Sequence, residues 1–501
     1  MDATEETARE APAKGINDKI AIALSFGSSA AVMVLELVSL RLVAPYLGLT
    51  LENNTAVIGV ALAAIATGAA MGGRLADSTP PTRTLGPMIL FAGALVLLIL
   101  PVVRWTGEVM RGSGSQAVFL ALAAALFLPA SLLAAVTPMV TKLRLSKLSQ
   151  TGTVVGRLSA YATVGAIAGT VLTGFVFVAK VPTSTIVLCL GGLLVLAGAV
   201  LTIFFHGLKA AARPLALALV GTGLTLVAPR PCEVETAYHC ARIEKDPARA
   251  NGRLLYLDQL RHSYIDLADP TYLQFQYTKD FATAIESRWP DKSPLQALHV
   301  GGGGLTMPHY LAATRPGTKN KVYEIDPGVI ELDKAELGAR TGPDLDVQIR
   351  DGRLGVRSEP DDSRDLIVMD AFGGVAVPWH LTTREIVADL RRVLKPDGLF
   401  LANIIDFGPQ AFLKAELRTV AAEFPYVALI AKPTELAGKE GGNFVLLAAD
   451  QPLPSTTIRQ RLGTTGGYID DPAALRQFIG DAPLLTDDYA PVDQLLTPFP
   501  S

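Results

Sequence analysis

Residues 296–326 read Gln-Ala-Leu-His-Val-Gly-Gly-Gly-Gly-Leu-Thr-Met-Pro-His-Tyr-Leu-Ala-Ala-Thr-Arg-Pro-Gly-Thr-Lys-Asn-Lys-Val-Tyr-Glu-Ile-Asp. Gln296–Val300 has the length and apolar character of a buried strand, and it runs directly into Gly301–Gly304. A helix-like segment follows, then Lys321–Asp326, a second strand ending in acids. Strand, glycine turn, helix, strand and acid together are specific. Glycines let the backbone come close to a ligand. An acid at the end of the second strand, about 20 residues after the glycines, can take both hydroxyls of a ribose. Gly301, Gly302, Gly303 and Glu324 are therefore candidate nucleoside-binding residues. The alternative is a tight turn in an α/β fold that has lost its ligand.

Further strands continue the pattern. Asp346–Arg350 runs into Asp351-Gly352, and Asp365–Met369 ends at Asp370. Ligands of open α/β sheets gather at the carboxyl ends of the strands, which adds Asp351, Gly352 and Asp370 to the candidates. Leu399–Asn403 follows the turn Lys395-Pro396-Asp397-Gly398, and Phe444–Ala448 is expected as the last strand. The Pro-rich tail after Pro491 is expected as coil.

The chain before this region has another texture. Half of the 501 residues are apolar, and the mean hydropathy is positive. A soluble enzyme of this length rarely has such a composition. A spanning helix needs about 20 mostly apolar residues. Candidates lie at 20–44, 55–73, 84–105, 116–138, 158–179, 184–206 and 214–230, the last being the weakest. The first follows a polar, acidic stretch with Asp2, Glu5 and Glu6. It has no clean small-residue cleavage site and reads as an anchor. The expected organisation is a polar tail at 1–15, an all-α transmembrane bundle of about seven helices at 16–230, a linker and β-hairpin region at 231–295, and an α/β Rossmann-like domain at 296–501.

Arg74 and Arg83 follow the second span, Lys142, Arg144, Lys147 and Arg157 the fourth, and Lys209 and Arg213 the sixth. By the positive-inside rule these loops and the N-terminus face the cytoplasm. Seven spans would then put everything after Arg230 outside, and six or eight would put it inside. Cys232 and Cys240 are either a small disulfide loop, which favours the outside, or two unpaired thiols. Glu36 and Arg41 lie in the first span. Glu36 is either a hydrogen-bonded bundle residue or part of a transport or substrate channel, and Arg41 can snorkel. Gly68, Gly72 and Gly73, with Gly165 and Gly169, suggest close helix packing. Gly72–Asp77 resembles a loop of major-facilitator transporters. The net charge of -3 argues against a nucleic-acid binder. Six histidines and three cysteines without Cys-x-x-Cys or His-x-x-x-His spacing argue against zinc, so no metal site is expected.

The order Gly301–Gly304, Glu324, Asp351-Gly352 and Asp370 resembles the methyltransferase-type Rossmann fold and, more narrowly, spermidine synthase, a polyamine aminopropyltransferase. Leu255-Tyr256-Leu257-Asp258 resembles that family's hairpin leading into the active site. Leu485–Pro491 resembles its C-terminal motif, and a helix at Thr383–Leu394 is expected after Asp370. The resemblance covers about 255–495, and the whole chain resembles bacterial members fused to an apolar N-terminal bundle.

The resemblance implies decarboxylated S-adenosylmethionine as cosubstrate, no tightly bound cofactor, and an amine such as putrescine as acceptor. It implies Asp370 as the residue that orients and deprotonates the amine, because only a neutral amine is a nucleophile. It implies Glu324 at the ribose and Asp351 near the adenine. Three positions depart from the family. Gly304 stands where an Asp usually meets the cosubstrate's amino end. Gly373 stands where a second acid follows Asp370. His262, beside Ser263 and Tyr264, stands near a usual Gln. His262 and Tyr264 join Asp370 as catalytic candidates, since an imidazole titrates near neutrality; the alternative for His262 is a packing role.

Three functions stay open: a membrane-bound aminopropyltransferase, another S-adenosylmethionine-type transferase, and a non-catalytic extracytoplasmic binding or assembly module on a transporter-like bundle. Expected partners are the lipid bilayer, a nucleoside thioether and an amine, with a homodimer left open.

Overall fold

The computed structural model describes residues 16–47, 51–110, 115–145, 148–372 and 377–496. The expected tail at 1–15, Lys147, Gly373 and the chain after Leu496 lie outside the described residues. The chain divides into two compact units, Met1–Pro231 and Cys232–Ser501.

Among the described residues, the first unit has seven helices long and apolar enough to cross a membrane: Asp18–Leu47, Asn54–Ser78, Pro81–Val109, Phe119–Arg144, Thr151–Lys180, Thr183–His206 and Leu208–Val227. Each overlaps one expected segment. The fourth is interrupted at Ala135, and the fifth passes through a π-turn at Thr173–Phe177. Pro81–Val109 is the most buried and packs against Ser115–Ala134, Thr183–His206 and Leu208–Val227.

Small residues make the closest approaches. Gly68 and Gly72 lie against the backbone of Ser131 and Ala135, and Gly165 and Gly169 against Phe26 and Ala30. Gly73 faces open space. Asp18 pairs with Arg144 and Arg157, and Lys142 pairs with Asp77 at 2.7 Å. These pairs gather the start of the first helix, the end of the second and the junction of the fourth and fifth at one end of the bundle. Glu36 is half-buried.

The second unit carries two sheets. The smaller is antiparallel in the order β1 (Val234–Glu235), β2 (Cys240–Lys245), β3 (Gly252–Leu257) and β4 (Leu260–Asp266). Cys232 and Cys240 are disulfide-bonded. The stretch expected as a linker and hairpin is thus a full sheet followed by helix Gln276–Arg288. Ala241, Leu255, Leu257 and Ile265 pack on Val329, Leu332 and Leu337, which docks this sheet on helix Pro327–Glu336.

The larger sheet contains β5 (Gln296–Val300), β6 (Lys319–Glu324), β7 (Leu345–Ile349), β8 (Arg364–Met369), β9 (Leu394–Asp406), β10 (Tyr426–Ala431), β11 (Gly442–Ala449) and β12 (Gly467–Ile469). Its order is β12-β10-β11-β9-β8-β5-β6-β7. The run from β9 to β7 is parallel, and β10, β11 and β12 pair antiparallel. This is a Rossmann-like sheet. Both faces are covered, so its strands read as continuous apolar runs. Ile367, Met369, Phe400 and Ala402 enter one core, and Leu366, Val368, Leu399 and Leu401 the other. Two strands were not expected: β10, and β12, which follows the strand taken as last. The expected turn at Lys395–Gly398 lies within β9. Because β5, β6 and β8 are parallel neighbours, Gly301, Glu324 and Asp370 emerge at one edge of the sheet.

Candidate active site

Gly301 has a φ of 97°, and any side chain there would strike the Asp370 carbonyl. That approach draws the ends of β5 and β8 together. The Glu324 carboxylate accepts the Gly302 N–H at 2.7 Å and the Asp326 N–H at 2.8 Å. Burial pushes its pKa up, against the pull of those two donors. Asp326 instead caps helix Pro327–Glu336, accepting the Gly328 N–H at 2.9 Å. Asp351 caps helix Gly352–Arg357 through the Leu354 N–H and holds the His380 ring at 3.0 Å. The C-terminal motif braces that helix, since Asp487 accepts from Thr383 at 2.7 Å and pairs with Arg353.

Asp370 lies deeper. Asn403 Nδ2 donates to its Oδ1 at 3.0 Å, and the Tyr277 hydroxyl is near enough to favour its ionised form. Burial raises the Asp370 pKa, and the two neighbours oppose the rise. A raised carboxylate is a better-matched proton acceptor for an amine than an ordinary one.

The β3–β4 hairpin supplies the roof. Leu255 pairs with Ser263, and Tyr256 with Arg261, leaving His262 over as a bulge. A bulge re-aims a side chain, and here the imidazole lies against Gly303. Burial and the neighbouring His239 push the His262 pKa down to about 4. It is uncharged at pH 7, and its ring walls both of the cavities described below. Tyr264 turns away. Its hydroxyl donates to Asp246 at 2.7 Å, and it lines neither cavity described below. Ser263 Oγ occupies the space that a side chain at Gly304 would need, and Gly304 has a φ of 76°. An acid at position 304 is thus sterically barred.

Two adjoining cavities result, sharing His262, Asp370 and Phe372. The first is lined by His239, Gly301, Gly303, Glu324, Asp351 and Gly352, among others. It is narrow, about 90 Å³, against roughly 300–1,000 Å³ for pockets that bury drug-sized ligands. A nucleoside enters it only if its walls move apart. The second is about 580 Å³ and includes Arg261, Gln276, Tyr277 and Asn403. Gly301, Gly303, Glu324, Asp351, Gly352, His262 and Asp370 therefore share one cleft, Gly302 lies beneath Glu324, and Tyr264 stands apart.

Sequence reasoning missed His239, Tyr277 and Asn403. His239 leans on Asp258, its Nδ1 at 3.0 Å from Oδ2, and Cys240 donates its N–H to the same carboxylate. Asn403 lies inside β9, three residues before its end, so strand-end position did not single it out.

The chain is 26% identical over 216 residues to the polyamine aminopropyltransferase of Vibrio vulnificus, covering 40% of this chain and 70% of that one. The second unit is spermidine-synthase-like. The polyamine aminopropyltransferase of Chromobacterium violaceum is 28% identical over 155 residues, covering 30% of this chain and 58% of its own. A probable spermidine synthase from Corynebacterium glutamicum, known from a crystal structure, is 28% identical. It is matched over 52% of this chain and 96% of that one, with a TM-score of 0.48. No family profile matches the chain. In the spermidine-synthase-like unit, the acids of the first cavity stand at one side of Asp370 and the larger cavity at the other.

Proposed function

We propose that the chain is a membrane-bound aminopropyltransferase. On this reading the narrow cavity takes the nucleoside of decarboxylated S-adenosylmethionine and the larger cavity takes an amine. Glu324 accepts the ribose hydroxyls, and Asp351 lies toward the adenine. The observation that carries the reading is Asp370, a part-buried carboxyl that accepts from Asn403 in the wall shared by both cavities. It can take the proton of an amine at the point where the amine meets the cosubstrate. The similarity to polyamine aminopropyltransferases supports the same general activity.

The test is 5′-methylthioadenosine release by the purified full-length protein supplied with decarboxylated S-adenosylmethionine and an amine. Release that depends on the amine and is lost in Asp370→Asn is expected. Transfer of a methyl group from S-adenosylmethionine in its place would favour a methyltransferase.

We further propose that the second unit faces away from the cytoplasm. Seven candidate spans after a cytoplasmic N-terminus support this, as does the Cys232–Cys240 disulfide. Those two observations also favour a second reading, in which the unit is an extracytoplasmic binding module that retains the cleft without the reaction. Binding of 5′-methylthioadenosine without turnover of any amine would favour it.

A further inference from the structure

We propose that the acceptor is an amine whose far end carries an anionic group, not a second ammonium. This rests on the aminopropyl-transfer reading and names its substrate class. Among the residues lining the larger cavity, Asp370 is the only carboxylate and Arg261 the only guanidinium. Residues 373–376, next in the chain after Phe372, are Gly-Gly-Val-Ala and bring no charge. The rest of the wall is aromatic, aliphatic or amide, including Phe275, Phe407, Gln276 and Asn443.

Glu440, beside the lining residue Gly441, is exposed and accepts from Thr434 Oγ1 at 3.1 Å, and two buried acids behind the wall are committed as well. Asp280 is buried and accepts from Gln276 Nε2 at 2.9 Å. Glu435, buried behind Gly442, accepts the Lys432 N–H at 2.9 Å and pairs with the Lys432 ammonium at 3.2 Å. Neither lines the cavity.

One end of the cavity is built for a single amine. Asn403 Nδ2 is spent on Asp370, while Asn403 Oδ1 is buried and has no partner. An acceptor N–H would satisfy that oxygen and turn the nitrogen lone pair toward the cosubstrate. The other charged group is Arg261, whose Nε donates to the Tyr256 hydroxyl at 3.3 Å. No carboxylate pairs with it among the described residues. Arg261 is exposed, and a second ammonium beside it would meet a like charge. A carboxylate or phosphate would meet a guanidinium fork suited to it.

The transfer balances with this acceptor. The amine lone pair forms a bond to the aminopropyl carbon attached to the sulfonium. The carbon–sulfur bond breaks, and its electron pair leaves the sulfur as a neutral thioether. The proton released from nitrogen passes to the Asp370 carboxylate.

The test compares three four-carbon acceptors on the purified full-length protein: 4-aminobutyrate, n-butylamine and putrescine. 5′-Methylthioadenosine release from decarboxylated S-adenosylmethionine is followed. In parallel, calorimetry measures each acceptor's binding to protein saturated with 5′-methylthioadenosine. 4-Aminobutyrate is expected to exceed putrescine at least tenfold, with n-butylamine between, and Arg261→Glu is expected to invert the first and last. Ethanolamine phosphate, free or as the headgroup of phosphatidylethanolamine vesicles, tests the phosphate form. Use of the free compound supports a soluble acceptor, and use of the vesicles alone supports a lipid one. If nothing releases 5′-methylthioadenosine, the transfer reading fails, and the binding order still decides the acceptor class. Preference for putrescine, equal binding of all three, or a ratio unmoved by Arg261→Glu would overturn the proposal.

Discussion

Asn403 Nδ2 donates a 3.0 Å hydrogen bond to Asp370 Oδ1, while the Asn403 carbonyl oxygen is buried in the same wall without a donor. The pair thus offers an amine one carboxylate and one free acceptor. It also sets the charge state of Asp370, because a donor favours the ionised carboxylate and burial opposes it.

Asp370→Asn is expected to lower kcat/KM by roughly 10²–10⁴-fold, the usual worth of a positioned proton acceptor. Asp370 acts ionised, and its pKa is raised. Wild-type kcat/KM therefore falls as pH drops through a value above the ordinary aspartate range. Asn403→Leu removes a donor that favours the ionised form, so the acidic limb should move to still higher pH. A limb unmoved in Asn403→Leu would separate Asn403 from the titration of Asp370.

Glu324→Gln should weaken 5′-methylthioadenosine binding by roughly tenfold to a hundredfold, since hydrogen bonds to a charged group contribute about 1.5–3 kcal/mol. Calorimetry on the full-length protein measures it. Unchanged affinity would leave Glu324 as a bracket for the Gly302 and Asp326 N–H groups alone.

The disulfide closes the loop that carries His239 to the first cavity. Cys232→Ser with Cys240→Ser should lower 5′-methylthioadenosine affinity several-fold. The third cysteine, Cys189, lies in Thr183–His206. In a Cys189→Ala background, an impermeant thiol reagent applied to intact cells should label Cys232 and Cys240 only after a reductant. Absence of labelling in intact cells, with labelling after lysis, would place the unit in the cytoplasm.

Glu416 is buried in helix Ala411–Glu423, and neither carboxyl oxygen has a partner. Burial holds its pKa well above the ordinary value. The unfolded chain ionises this group in the usual glutamate range, while the folded chain keeps it protonated. Its contribution to stability is therefore full below that range and declines as pH rises above it, until the folded carboxyl itself ionises. Glu416→Met should raise Tm, by an amount that grows from pH 4 to pH 8. Scanning calorimetry of wild type and variant at several pH values measures the difference, and a constant offset would contradict the assignment.

The first cavity was largely legible in the sequence because its residues follow strand ends in chain order. A glycine turn after β5 and acids at the ends of β6, β7 and β8 need only short apolar runs and a turn to be found. The larger cavity was not legible in that way. Tyr277 comes from a helix preceding the sheet, Asn403 from a strand inner face, and Arg261 from a hairpin, and only the tertiary fold brings them together. The misplacement of Tyr264 has a simple cause. Ordinary strand alternation puts it on the face of His262, and the bulge at His262 breaks that alternation. β12 is three residues long and carries little pattern of its own.

The most direct measurement is single-turnover conversion of decarboxylated S-adenosylmethionine to 5′-methylthioadenosine by the purified full-length protein, with wild type and Asp370→Asn compared in the presence and absence of an amine. The expected result is one equivalent released per site by wild type only when an amine is present, and a loss of at least about a hundredfold in the variant. Tight binding of the nucleoside with no release by wild type under any acceptor, or equal release by Asp370→Asn, would contradict the account.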